Sequence, residues 1–172
     1  NSQINKGHWL MGGNANYSLT YYNTELNGGQ ENTVYSLRLM PNLGYFFIDK
    51  LSSGLKVSVN GAGRKATGTS AYTFELMSNL GPFVRYYFLP AGNIVNVLME
   101  GSYQYGIVGG HHKIVSTRNI FAVAAGPVIY FNSSLGLECL VNYSTYKFIK
   151  YSGSNQILTL SLGIQAYLEK DK

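Results

Sequence analysis

The sequence predicts an all-β fold, an eight-stranded antiparallel up-and-down transmembrane β-barrel. Three observations predict it. First, aromatic clusters run straight into tight turns three times: Gly44-Tyr45-Phe46-Phe47 into Ile48-Asp49-Lys50, Arg85-Tyr86-Tyr87-Phe88 into Leu89-Pro90-Ala91-Gly92-Asn93, and Ile129-Tyr130-Phe131 into Asn132-Ser133-Ser134. Rings with an apolar body and a polar tip suit the boundary between hydrocarbon and headgroups. Second, apolar and polar residues alternate with a period of two over long segments, the signature of a strand with two unlike faces. Third, charged residues are only 12% of the chain and aromatics 14%, yet no apolar run approaches the roughly 18 residues that a membrane-spanning helix requires.

The elements follow in order. The first strand is expected near His8–Tyr22, the second near Thr33–Phe47 and the third near Leu51–Arg64. The fourth runs near Tyr72–Phe88 and the fifth near Ile94–Val108, where Val95, Val97, Met99, Tyr103 and Tyr105 oppose Asn96, Glu100, Ser102 and Gln104. The sixth, near Arg118–Phe131, sets Phe121, Val123, Ala125 and Ile129 against the smaller Ala122 and Ala124 with Ile120 and Val128. The seventh, near Leu135–Ile149, sets Leu135, Leu137, Cys139, Val141 and Tyr143 against Gly136, Glu138, Leu140, Asn142 and Ser144. The eighth, near Gln156–Leu168, sets Leu158, Leu160, Leu162, Ile164, Ala166 and Leu168 against Thr159, Ser161, Gly163, Gln165 and Tyr167. All are longer than the five or six residues usual in soluble proteins and long enough for a tilted membrane-crossing strand.

Links after the second, fourth and sixth strands are tight. The others, Asn23–Asn32, Lys65–Ala71, Gly109–Thr117 and Lys150–Asn155, are longer and polar. Short turns on one side and longer loops on the other form the outer-membrane pattern, which places the short turns and both termini in the periplasm. At 172 residues the chain is one domain, with loose ends expected near 1–6 and 169–172. The polar start, Asn1-Ser2-Gln3-Ile4, suits a mature N-terminus freed of an export signal. Cys139 is the single cysteine, so no disulfide framework exists within the chain. The net charge of +5 is not gathered into one basic stripe, which argues against nucleic acid as a partner.

Most mid-strand charges fall opposite the apolar face. Arg38, Lys56, Arg85 and Arg118 are the cations, and Glu75, Glu100 and Glu138 the anions. A Lys or Arg facing lipid at the bilayer midplane costs about 2–4 kcal/mol, so these residues are expected inside. There they form a network joining the three glutamates to Arg38, Arg85 and Arg118, with Lys56 at its edge. Such a network serves as a proton or ion path, as paired catalytic carboxylates, or as a polar plug. The plug is the preferred reading, because side chains just fill a barrel of about eight strands.

The remaining candidates are peripheral. Trp9, Tyr45, Phe47, Tyr86, Phe88, Tyr130 and Phe131 are expected to mark an interfacial rim. Arg64, Lys65, Lys113, Lys147 and Lys150 lie toward the looser loops, where they either contact lipopolysaccharide phosphates or simply solubilise the loops. His111-His112 has neither a neighbouring Cys or carboxylate nor the helical spacing of a metal site. No catalytic residue, metal or cofactor is predicted. Two rival readings remain: a soluble lipocalin-like barrel with its apolar face inside, and an outer-leaflet lipid-modifying enzyme using one of the three histidines with a Ser nucleophile.

Pro41-Asn42-Leu43-Gly44-Tyr45-Phe46-Phe47-Ile48-Asp49-Lys50-Leu51, Gly81-Pro82-Phe83-Val84-Arg85-Tyr86-Tyr87-Phe88 and Gly126-Pro127-Val128-Ile129-Tyr130-Phe131, the last continuing into Leu135-Gly136-Leu137-Glu138, carry a resemblance. With the lead-in Lys6-Gly7-His8-Trp9-Leu10-Met11-Gly12-Gly13, the whole chain resembles the small outer-membrane β-barrel domain proteins (porin-family outer-membrane proteins) of the Bacteroidetes type. That resemblance implies a closed antiparallel barrel in the outer membrane, and no catalytic residue. One departure is the end: such barrels often finish on an aromatic residue, whereas here Tyr167-Leu168 is followed by Glu169-Lys170-Asp171-Lys172. The expected role is structural or a surface interaction through the outer loops, as a monomer without a wide pore.

Overall fold

The structure, a computed structural model, describes residues 3–24, 30–66, 72–110, 113–149 and 154–169. Eight strands run in chain order: β1 Trp9–Thr24, β2 Gln30–Ile48, β3 Leu51–Ala66, β4 Tyr72–Tyr87, β5 Val95–Gly110, β6 Lys113–Tyr130, β7 Leu135–Phe148 and β8 Ser154–Leu168. Each pairs antiparallel with its sequence neighbours, and β8 returns to β1 to close the barrel. This is the predicted fold class. The strands reach further toward the longer links than expected: β5 runs to Gly110 and β6 starts at Lys113, so most of Gly109–Thr117 is strand.

The faces are assigned by what each can touch. Leu158, Leu160, Leu162 and Ile164 on β8, with Val141 and Tyr143 on β7 and Met99 and Tyr105 on β5, all point outward and are exposed. A continuous apolar exterior of this extent is costly in water and is the lipid-facing surface of a transmembrane barrel. The inward set includes Asn42, Ser58, Asn79, Asn96, Gln104, Ser161 and Gln165, all buried. This is the reverse of a lipocalin-like cup, so that rival falls.

The strand prolines Pro41, Pro82 and Pro127 have a structural consequence. A closed barrel has no edge strand, so a proline without an N–H must interrupt a ladder somewhere. The β2–β3 pairing skips from Leu39↔Val59 to Asn42↔Lys56 at Pro41. The β4–β5 pairing skips from Leu80↔Tyr105 to Phe83↔Ser102 at Pro82, and β6–β7 from Ala125↔Val141 to Val128↔Glu138 at Pro127. Beside two of these gaps the strands come so close that a Cβ on Gly81 or Gly126 would run into the backbone carbonyl of Tyr103 or Cys139.

The tight-turn end is closed by the chain itself. Residues from Gln3 onward pack across it, where a loose end was expected. Ile4 is completely buried and its carbonyl accepts a hydrogen bond from Lys50 N at 2.8 Å. Lys50 has φ 67°, a left-handed conformation that suits a two-residue turn. Lys6 N donates to Asp49 Oδ1 at 2.7 Å, and Gln3 Nε2 to the Asn132 carbonyl at 2.9 Å. Asn132 Oδ1 in turn accepts from Ser134 N and Leu135 N at 2.8 and 2.9 Å, which caps the β6–β7 turn.

Candidate functional site

Strand alternation divides each aromatic cluster between two environments. Phe47, Tyr86, Phe88 and Phe131 point out and are exposed, as is Trp9, while Tyr45 is half-buried against the Trp9 ring, edge-on at 5.2 Å. Tyr130, expected on this rim, instead points inward and is buried. It sits one residue from Ile129 and Phe131, and consecutive side chains of a strand take opposite faces. Inside, Tyr130 joins Phe46, Tyr87 and Tyr167. The Tyr130–Tyr167 ring centroids are 5.4 Å apart and the Phe46–Tyr87 centroids 5.7 Å. These rings, with Ile4 and Leu10, make an apolar floor at the tight-turn end. Farther along the strands the exterior carries more exposed rings, among them Tyr17, Tyr35, Phe74, Tyr103 and Phe121.

Above the floor lies the charged layer. Arg85 on β4 is fully buried. Its Nε and Nη2 donate to Glu100 Oε2 at 3.0 and 2.7 Å, and its Nη1 donates to Glu138 Oε1 at 2.7 Å. Nη1 also reaches the Tyr87 hydroxyl at 3.3 Å, which ties the layer to the aromatic floor. Lys56 on β3 is ion-paired with Glu100 Oε1. Glu138 Oε2 accepts from Gln165 Nε2 at 3.3 Å and from Asn14 Nδ2 at 3.4 Å. The Phe83 ring lies 5.6 Å from Lys56 Nζ and 5.7 Å from the Arg85 guanidinium carbon, within the range of cation–π attraction.

Two cations and two carboxylates thus share one neutral cluster with side chains from β1, β3, β4, β5, β7 and β8. In a low-dielectric interior each charge needs both an opposite charge and hydrogen bonds to its remaining lone pairs. Here every carboxylate oxygen has a donor. The cluster spans the lumen as a plug.

Three of the predicted members do not join it. Glu75 has the inward parity of β4 but lies beyond Asn79, toward the longer links, and is exposed. Among the described residues it makes no ion pair. Arg118 is buried, yet it donates to Asn79 Oδ1 at 3.3 and 3.2 Å rather than to a carboxylate, with the Tyr146 ring 5.1 Å from its guanidinium carbon. Arg38 has no carboxylate partner among the described residues. Lys56, expected at the edge, is a direct partner of Glu100. Asn14, Gln165 and the Tyr87 hydroxyl, which complete the cluster, were not singled out from the sequence. For Gln165 the available signal was parity. It shares the polar face of β8 with Ser161 and Gly163, and it pairs with Gly136 next to the Glu138↔Gly163 position in the β7–β8 register.

The basic loop-side residues fall where the strand order puts them. Arg64 and Lys65 lie at the end of β3, Lys113 begins β6, and Lys147 near the end of β7 is exposed, all at the end opposite the termini. Lys150, His111 and His112 lie outside the described residues. His8 sits at the other end, its Nδ1 3.1 Å from the Asn5 carbonyl.

No protein-family model and no curated protein sequence matches this chain. Among solved structures, the crystal structure of Neisserial surface protein A (NspA) is similar in fold, with a TM-score of 0.57 at 16% sequence identity, over 94% of this chain and 97% of that chain.

Proposed function

We propose that this protein is an integral outer-membrane β-barrel with a structural or surface-interaction role, acting as a monomer and without a wide pore. The observation that carries this reading is the pairing of an apolar exterior with a lumen crossed by the Lys56–Glu100–Arg85–Glu138 cluster. A barrel so filled holds its strands rigidly and presents its loops, while offering solutes no continuous aqueous path. The fold it shares with NspA supports the outer-membrane setting. The resemblance to small porin-family barrels points the same way.

In this reading the tight turns and both termini face the periplasm and the longer links face outward. Arg64, Lys65, Lys113, Lys147 and Lys150 then meet lipopolysaccharide phosphates in the outer leaflet, where ammonium and guanidinium groups pair well with phosphate oxygens. A surface partner engages the outer loops. The role is not enzymatic; no cofactor is invoked. Replacing His111 and His112 is expected to leave envelope lipid composition unchanged, and a changed lipid profile would establish the lipid-modifying rival.

The direct test has two parts. Unheated protein is expected to run as a compact species on a detergent gel and to shift on boiling. Pure protein in a planar bilayer is expected to show no large steady conductance. Recovery as a monodisperse folded species in buffer without detergent, or a stable open channel of porin size, overturns the reading.

A further inference from the structure

Beyond the charge cluster, on the side of the longer links, the lumen holds a cavity of about 50 Å³. Arg38, Lys56, Asn79, Gln104, Arg118 and Tyr146 are among its walls, and Glu100 is the only carboxylate there among the described residues. That carboxylate is already shared by Lys56 and Arg85. The cavity therefore contains two guanidinium groups, Arg38 and Arg118, with no anion assigned to them among the described residues. They are close enough for their charges to oppose one another. An arginine presents five N–H donors; Arg118 directs Nε and Nη2 to a single amide oxygen, Asn79 Oδ1. Nearby donors are unspent as well. Asn16 Nδ2, on the residue paired with Arg38 across β1–β2, is buried without a partner, as is Ser116 Oγ one inward position along β6 from Arg118.

Two like charges on one small cavity, Arg118 buried and Arg38 half-buried, with spare donors beside them, are unfavourable unless something negative lies between them. We propose that this cavity binds a small inorganic anion, held by Arg38 and Arg118 and admitted from the loop end of the barrel. Size sets the class. An enclosed water requires about 10–15 Å³, so the space takes a halide or a small oxyanion with a water or two, and excludes a sugar or a lipid headgroup. The Lys56–Glu100–Arg85–Glu138 cluster below makes the site a dead end rather than a channel. The inference stands on the lumen alone and holds whichever surface partner the loops engage.

The test uses the folded barrel in a non-ionic detergent, with chloride as the probe and gluconate as the bulky counter-ion at constant ionic strength. The chloride NMR line is expected to broaden saturably with protein, and nitrate is expected to reverse it. Arg118→Gln is expected to weaken apparent affinity by about tenfold or more, the factor for losing one charge-assisted donor group. Lys6→Gln, exposed at the tight-turn end away from the cavity, is expected to change nothing. Because removing an arginine can disturb folding, Ser144→Asp provides a second variant. It plants a carboxylate on the cavity wall, and is expected to abolish chloride binding while the protein keeps its heat-shifted gel mobility. Broadening that is absent or unsaturable in the wild type, or that survives intact in a folded Ser144→Asp barrel, overturns the proposal.

Discussion

The guanidinium of Arg85 bridges two carboxylates from separate strands, holding Glu100 of β5 through Nε and Nη2 and Glu138 of β7 through Nη1, with every residue of the bridge buried. Adjacent strands β4 and β5 place Arg85 opposite Glu100 in register. Glu138 is reached only across the lumen, so one side chain fastens distant parts of the wall.

Arg85→Met removes the bridge and leaves Glu138 with neutral donors only. Breaking a buried pair from one side costs about 3–5 kcal/mol. The unfolding midpoint in urea is expected to fall accordingly. Adding Glu138→Gln to Arg85→Met is expected to recover part of the loss, because the stranded charge is gone. Equal instability of the single and double variants would show that the charge balance is not what holds the layer.

The two faces of β8 are expected to respond oppositely. Leu160 is 63% exposed and Ser161 only 2%. Leu160→Arg sets a cation against hydrocarbon at about 2–4 kcal/mol, and membrane assembly is expected to suffer. Ser161→Ala costs only the hydrogen bond accepted from Asn142 Nδ2 at 2.8 Å, about 1 kcal/mol. Equal tolerance in an assembly assay with lipid vesicles would invert the faces.

Glycine substitutions are expected to depend on what stands opposite. A Cβ at Gly126 meets the Cys139 carbonyl, part of a facing backbone that cannot swing aside, whereas a Cβ at Gly101 meets nothing within 4 Å. Gly126→Ala is expected to lower stability by about 1–3 kcal/mol, the usual cost of forced overpacking. Gly101→Ala is expected to remain within about 0.5 kcal/mol of wild type. Urea titrations of the two variants side by side decide the matter.

At the tight-turn end, Ile4→Ala is expected to cost about 2–5 kcal/mol, the range for truncating a buried aliphatic side chain. It is also expected to make the first residues susceptible to protease, with the barrel body still protected. A cleavage pattern identical to wild type would mean that Ile4 does not anchor this segment.

How far the sequence could be read follows from its period. Alternation of two is visible residue by residue, and it set the eight strands, the turns after the second, fourth and sixth, and the shared parity of Lys56, Arg85, Glu100 and Glu138. Parity alone cannot say which face is inside, nor how high along the axis a side chain lies. The height depends on the register at which β8 meets β1, from Trp9↔Leu168 to Ala15↔Leu162, and no local pattern encodes that; the inner face is the one whose side chains are buried. Closure therefore decided that Glu75 rises past Asn79 to the exposed mouth and that Arg38 and Arg118 line one cavity without a carboxylate of their own among the described residues, whereas Tyr130 already shares the parity of Ala124 and Val128. The chain alone determined which residues share a face. The closed cylinder decided which of them meet, because only closure brings strands distant in sequence to the same depth across a common lumen.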